Sequence, residues 1–199
     1  ALKQKVHRAI KDTEGEVLRQ GNHHVMKTYF HAHCGGRTKT SMEVWGVKGQ
    51  EVVVSDDHCA ADQEGDWSFT LSADLLRKSF FSGDDKGEVR IEADDGLQVK
   101  MSLGDKAKSV AGDLFRKVLG YANIKATEFK SKINGETIKV EGRGFGHGVG
   151  MCQSGARFMA KAGSDYLDIL NHSNNVLLRF PQARLLVHSG NGGEHQEQR

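Results

Sequence analysis

From Gly142 to Gly150 every second residue is glycine, in the run Gly142-Arg143-Gly144-Phe145-Gly146-His147-Gly148-Val149-Gly150. The alternation strips Cβ atoms from one face of the chain, so that backbone can lie against a ligand or against another strand. Regular secondary structure is not expected across it. The spacing matches neither G-x-G-x-x-G nor G-x-x-x-x-G-K-[ST], which sets aside dinucleotide and phosphate-loop sites. Two roles stay open for the run: a tightly packed strand whose His147 only hydrogen-bonds to backbone, or a ligand-facing loop.

The sequel favours the ligand-facing role. Met151-Cys152-Gln153-Ser154-Gly155-Ala156 leads from the glycines into a helix, gathering polar side chains and free backbone N–H groups. His147 and Gln153 are candidates to bind sugar hydroxyls or an acetamido group, and an imidazole also moves protons near neutral pH. A second constellation is Tyr29-Phe30-His31-Ala32-His33-Cys34-Gly35-Gly36-Arg37-Thr38, followed by Glu43, Trp45 and Gly46. It predicts a strand ending in a glycine turn that bears a cation, with an aromatic ring available to stack on a sugar face. Alternatively Trp45 belongs to the core and Arg37 is a solvated surface cation.

His31, His33, Cys34, His58 and Cys59 carry zinc-ligand chemistry, with His31, His33 and Cys34 the metal candidates. Adjacent His-Cys pairs do not usually point at one ion, and neither C-x-x-C nor H-E-x-x-H occurs. A Cys34–Cys59 disulfide, or two reduced thiols, therefore ranks ahead of zinc, and no cofactor is required. Charge selects no partner: 28 Lys and Arg against 26 Asp and Glu leave +2, too little to argue for nucleic acid or an acidic membrane. No apolar stretch approaches the roughly 18–20 residues of a membrane helix. Residues Ala1 to Leu18 lack the apolar segment of a secretion signal.

Periodicity predicts an α+β single domain of β-hairpins with several short helices, over residues 1–189, with a polar tail at 190–199. Helices are expected at Lys3–Lys11, after a Ser72 cap, at Ser109–Leu119 before Gly120, at Ala156–Ala162, and at Asp165–Leu170 with Ser164 as cap. Hairpins are expected at Glu16–Arg19 with Val25–His31, at Glu88–Ala93 with Leu97–Leu103, and at Thr127–Lys132 with Thr137–Val140 around Asn134-Gly135. Val176–Phe180 and Ala183–His188 are the final strand candidates.

Gly142 to Ala156, GRGFGHGVGMCQSGA, resembles the G-x-G-F-G-H-G-V-G-M-S-Q-x-G-A signature of the stage II sporulation protein D family, also called SpoIID/LytB domains. YFHAHCGGRT with Glu43 and Trp45 resembles the family's other signature, an aromatic strand ending in C-G-G-x-T and then a Trp. The resemblance runs from about Thr13 to Phe180. It implies a bacterial extracytoplasmic protein of the cell envelope, secreted or periplasmic, acting on peptidoglycan glycan strands. Catalytic members are lytic transglycosylases, in which one carboxyl group protonates the MurNAc–GlcNAc oxygen and the muramoyl 6-hydroxyl attacks to leave a 1,6-anhydro end. Others enhance a wall amidase, and some bind zinc near the active site.

Carried over, the resemblance implies a glycine-rich cleft between the Cys34–Thr38 and Gly144–Gln153 turns, with substrate contacts from Cys34, Gly35, Gly36, Arg37, Thr38, Trp45, Gly144, Phe145, Gly146, His147, Gly148, Met151 and Gln153. The family's catalytic Glu lies on a helix whose motif position would precede Ala1, so the expectation is an acid upstream, with His147 as assistant. Cys152 stands where the signature has Ser, and Asn171-His172-Ser173 stands where a His followed by aromatics is usual. A noncatalytic glycan-binding or amidase-enhancing module is the alternative, and a zinc hydrolase using His31, His33 and His147 is a third.

Overall fold

The computed structural model describes residues 2–20, 24–49, 51–82, 85, 87–94 and 97–174. The strands expected at Val176–Phe180 and Ala183–His188, and the tail at 190–199, lie outside the described residues. The first 27 residues group apart from Thr28–Asn175. They contain helix α1 (Leu2–Asp12), close to its expected bounds, and a minimal antiparallel ribbon of β1 (Arg19–Gln20) with β2 (His24–Val25). The expected strand Val25–His31 is not continuous. It ends at Val25, and Phe30–His31 forms a separate strand, β3, with a partner far along the sequence.

Thr28–Asn175 holds the core, built from two three-stranded antiparallel sheets. One is ordered β4 (Asp66–Ser72), β9 (Thr137–Arg143), β8 (Phe129–Asn134), and the other β5 (Val89–Asp94), β6 (Gln98–Leu103), β7 (Lys106–Ala111). Both contain an expected hairpin: Asp94 pairs with Gln98, and Asn134 with Thr137. In β4 Trp67 and Leu71 turn inward while Asp66, Ser68, Thr70 and Ser72 face out, so hydrophobic alternation fixes its register on β9. β7 replaces the start of the helix expected at Ser109. It is an edge strand in which Val110 is buried, and the helix α5 begins at Gly112 and runs to Leu119. Lysines 106 and 108 blunt that edge.

Helix α4 (Ala73–Phe80) starts where Ser72 Oγ accepts the Leu75 N–H, as expected, and buries Ala73, Leu76 and Phe80. Phe80, Phe115 and Phe129 stack in series, with centroids 5.4 and 5.7 Å apart, joining α4, α5 and β8. Arg116 is buried behind them and donates to the carbonyls of Ile124 and Lys125. The remaining elements are α2 (Ser41–Trp45), α3 (Asp57–Ala60), β10 (Met151–Cys152), α6 (Gln153–Lys161) and α7 (Tyr166–Asn174). α7 is capped by Asp165, whose Oδ1 accepts the Asp168 N–H, and not by Ser164; a carboxylate one residue nearer the helix takes the role.

Phe115 is fully buried at the centre of the ring stack, so Phe115→Ala is expected to cost about 3–5 kcal/mol of unfolding free energy. Urea denaturation checks this, and a loss below about 1 kcal/mol would remove the stack from the centre of the core.

Candidate functional site

The two segments singled out in the sequence fold onto each other. β3 pairs in parallel with β10, Phe30 beside Met151 and His31 beside Cys152. His33 and Phe145 exchange backbone hydrogen bonds of 3.0 and 2.8 Å, the Lys39 N–H donates to Gly148 O, and the Ser154 N–H to Ala32 O. The face without Cβ atoms is turned inward against Tyr29–Lys39. A Cβ at Gly146 would lie 2.9 Å from His31 Cβ, and one at Gly144 would lie 3.1 Å from His33 O. Gly144, Gly146, Gly148 and Gly150 all have positive φ, between 74° and 112°, a conformation that L side chains strain to adopt. Gly142 differs: it lies within β9, with the Trp67 ring occupying the space of its missing side chain. Of the two roles open to the run, close approach to another strand therefore describes its Cβ-free side.

The side chains between the glycines differ in exposure, and Val149 is fully buried. Phe145 is exposed, and the His147 ring is half-buried against Trp45 at 5.0 Å, with Tyr29 at 6.3 Å and His31 at 5.8 Å. Trp45 closes α2, which starts with a capping box: Thr40 Oγ1 accepts the Glu43 N–H and Glu43 Oε2 accepts the Thr40 N–H. Glu43 also pairs with Arg37 at 3.2 Å. Burial raises its carboxyl, but the Thr40 and Arg37 bonds outweigh that and hold it below the usual range. It stays ionised at neutral pH.

Both histidines of the ring cluster are spent on backbone. His147 Nδ1 accepts the Val149 N–H at 3.0 Å, which fixes the proton on Nε2, where the Phe30 backbone is its partner. His31, 4% exposed, bonds Val149 O at 3.1 Å through Nδ1, while its Nε2 is buried without a partner. Burial is the main cause that lowers both, His31 to about 4, against a backbone bond that raises each.

The other expected contacts divide between two hollows. Cys34, Gly35 and Arg37 line a groove of about 610 Å³ with Lys39, Trp67 and Arg143. Lys39 is buried there, its Nζ on Glu128 at 2.9 Å and Thr127 Oγ1 at 3.2 Å, and no local sequence signal marks it. Phe145 and Gln153 line a smaller hollow of about 300 Å³ with His33, Asp62 and Arg157. Asp62 is buried and accepts from Ser154 Oγ, the Glu64 N–H and Arg157, and the Ser154 bond is the chief cause that lowers its carboxyl. Thr38 is buried, its Oγ1 accepting the Val54 N–H at 2.7 Å, so its hydroxyl serves the fold. Gly36 gives its N–H to Cys34 Sγ, Gly148 covers the stem of Lys39, and Met151 sits in β10.

Among the described residues, the side chains close enough to share one ion are Cys34, Asp56, Cys59 and Cys152, whose ligand atoms lie within 4.8 Å of one another. The set differs from the expected candidates His31, His33 and Cys34. Cys34 belongs to it, whereas His31 bonds Val149, and His33 Nδ1 accepts the Gly35 N–H at 3.0 Å and lies 3.3 Å from Cys59 Sγ. The zinc hydrolase set of His31, His33 and His147 is likewise not brought together around an ion. Cys34, Cys59 and Cys152 are present as thiols. Hydrogen bonds with Cys152 and Cys34 favour the thiolate at Cys59, and those with Cys152 and Cys59 push the Cys34 thiol up.

Because both rings bind protons more weakly folded than unfolded, the unfolded state takes up more protons as pH falls. Stability is therefore fully present above the ordinary value of 6.5 and is lost as pH drops towards about 4, by roughly 3 kcal/mol for His31. His31→Asn, which keeps a donor near Val149 O but cannot titrate, is expected to flatten this decline in thermal midpoint between pH 7 and 4. Equal declines in both proteins would show that His31 is not its source.

No family model matches the chain. Stage II sporulation protein D of Bacillus subtilis strain 168 is 27% identical over 179 residues, covering 84% of this chain and 49% of that protein. The Bacillus amyloliquefaciens protein of the same name is 28% identical over 176 residues, covering 84% of the chain and 48% of its own length. An uncharacterized protein of Brachyspira hyodysenteriae is 31% identical over 156 residues, 76% of this chain and 42% of that protein. The chain thus spans at most about half the length of these relatives. Similarity sustained over most of the chain, together with the two segments packed here against each other, makes it a relative of the stage II sporulation protein D family.

Proposed function

We propose that this chain binds peptidoglycan glycan strands outside the cytoplasm and forms the glycan-holding part of a lytic transglycosylase, which cleaves MurNAc–GlcNAc linkages to 1,6-anhydro-MurNAc ends. The observation that carries this is the convergence of both signature segments on one surface. There Trp45 and His147 form an aromatic face, and Arg37 and the Cys34-Gly35 turn line the neighbouring groove. Aromatic rings stack on the apolar faces of sugars, while guanidinium and backbone N–H groups bond their acetamido and carboxyl groups. The Bacillus relatives are sporulation proteins by name, which supports a cell-wall setting. Among the described residues no helix is long and apolar enough to cross a membrane.

A second role, noncatalytic glycan binding or enhancement of a wall amidase, is favoured by one feature of the same surface. Glu43, on Arg37 beside the groove, and Asp62, in the smaller hollow, are both held ionised by their hydrogen bonds, and a general acid must start protonated. In that state neither of the two serves as the acid.

Titration with purified, peptide-free glycan strands is expected to show binding that Trp45→Ala weakens about tenfold, the equivalent of one aromatic stack. The same strands analysed by mass spectrometry after incubation with the full-length protein are expected to carry anhydro-muramoyl ends. Binding without such ends supports the noncatalytic role, and absence of binding overturns both.

A further inference from the structure

A hollow of about 820 Å³ opens between the two three-stranded sheets, where the edge strands β5 and β8 face each other. Among the described residues no backbone hydrogen bond joins these strands, and the Ser131 hydroxyl donates to Ile91 O between them. Phe129 and Lys130 line both this hollow and the groove of Arg37 and Lys39, so the two run into each other across the start of β8. Resting on the glycan reading of that groove, we propose that the hollow is a second subsite for the same strand. It takes the strand's continuation through the carboxylates of the muramoyl residues, and Lys132 is the residue that holds it.

The hollow carries an excess of positive charge. Arg90, Lys100, Lys130 and Lys132 line it against Glu88 and Glu92. Both acids already have a cation, since Glu88 pairs with Arg90 at 3.2 Å and Glu92 stands opposite Lys100 on β6. Lys130 and Lys132 remain, and neither makes an ion pair among the described residues. Glu141 of β9 stands opposite Lys130 but is bonded by Lys139.

The fold bears a cost at the same place. Lys132 faces Lys139 directly across β8 and β9, and both are exposed. Like charges at directly opposed positions destabilise a sheet, and an anion laid along β8 removes the repulsion. The spread of the cations then selects the kind of anion. Lys130 and Lys132 lie two residues apart on one face, about 7 Å along the strand, which suits a linear polyanion better than one small ion. Ala93 and Ile133, partly buried against the core, add an apolar strip on which a sugar ring can rest.

Peptide-free glycan fractions of two and of eight disaccharides, titrated at low salt, test the subsite. Lys132→Glu is expected to leave affinity for the short fraction unchanged and to lower that for the long one about tenfold. Its thermal midpoint should stay the same or rise, because repulsion from Lys139 becomes attraction, so a folding defect is not the source of the loss. Lys132→Gln should fall between the two proteins, and salt at about 0.5 M should erase their difference. Chito-oligosaccharides of equal length, which lack the lactyl carboxylate, are expected to bind both proteins alike. Equal affinity of both proteins for the long glycan overturns the second subsite and leaves the groove reading standing, whereas a short fraction that neither protein binds removes the groove and the subsite together. An equal loss with chito-oligosaccharides overturns the carboxylate as the recognised group. Linear polyphosphate bound more tightly than the long glycan, and released by Lys132→Glu, would give the hollow to phosphate polymers and overturn the proposal likewise.

Discussion

Everything distinctive in this protein rests on backbone meeting backbone without intervening side chains. Residues 144–150 lie so close to Tyr29–Lys39 that a Cβ at Gly146 or Gly144 would press on His31 or His33. The two segments exchange hydrogen bonds from Tyr29 to Lys39. Glycine spacing thus works as a packing device. It lets two irregular stretches saturate each other's polar groups inside the protein, where unsatisfied N–H and C=O groups are costly.

What that contact displays on its outer side follows from the same alternation. Of the residues between the glycines, Phe145 is exposed and His147 lies on Trp45, while Val149 is fully buried. The capping box of α2 then sets the orientation of Trp45, and its Glu43 holds Arg37 beside the groove. A helix cap, an ion pair and a ring contact therefore belong to one construction. It is stiff because every member is fixed by at least one other.

The hairpins at β5–β6 and β8–β9 were legible because alternation and an Asn-Gly turn are local signals. β7 was not. Of its six residues Val110 is buried, and an exposed edge strand written Lys-Ala-Lys-Ser carries no periodicity. β4 does alternate, and the Thr40–Glu43 capping box is a local pattern as well; both could have been found from sequence. The parallel β3–β10 pair is beyond local reading, since two residues on each side leave no pattern. The thiol cluster is a case of its own: Cys34 and Cys59 were visible as a pair and Cys152 as a lone departure, and only the β3–β10 pairing carries the third sulfur to the other two. Thr38 and Lys39 show the converse, polar residues in a signature segment whose side chains support the interior.

The bond from Cys34 to Cys152 joins residues 118 positions apart. Closing so long a loop costs entropy that grows with the logarithm of its length, and the few contacts at the seam return little until the sheets between them have formed. Those intervening residues contain both three-stranded sheets and the phenylalanine stack. The seam is accordingly a late event in folding, assembled on a completed core. During synthesis its first half must wait, thiols and histidines uncovered, until the ribosome has delivered almost the whole of the second.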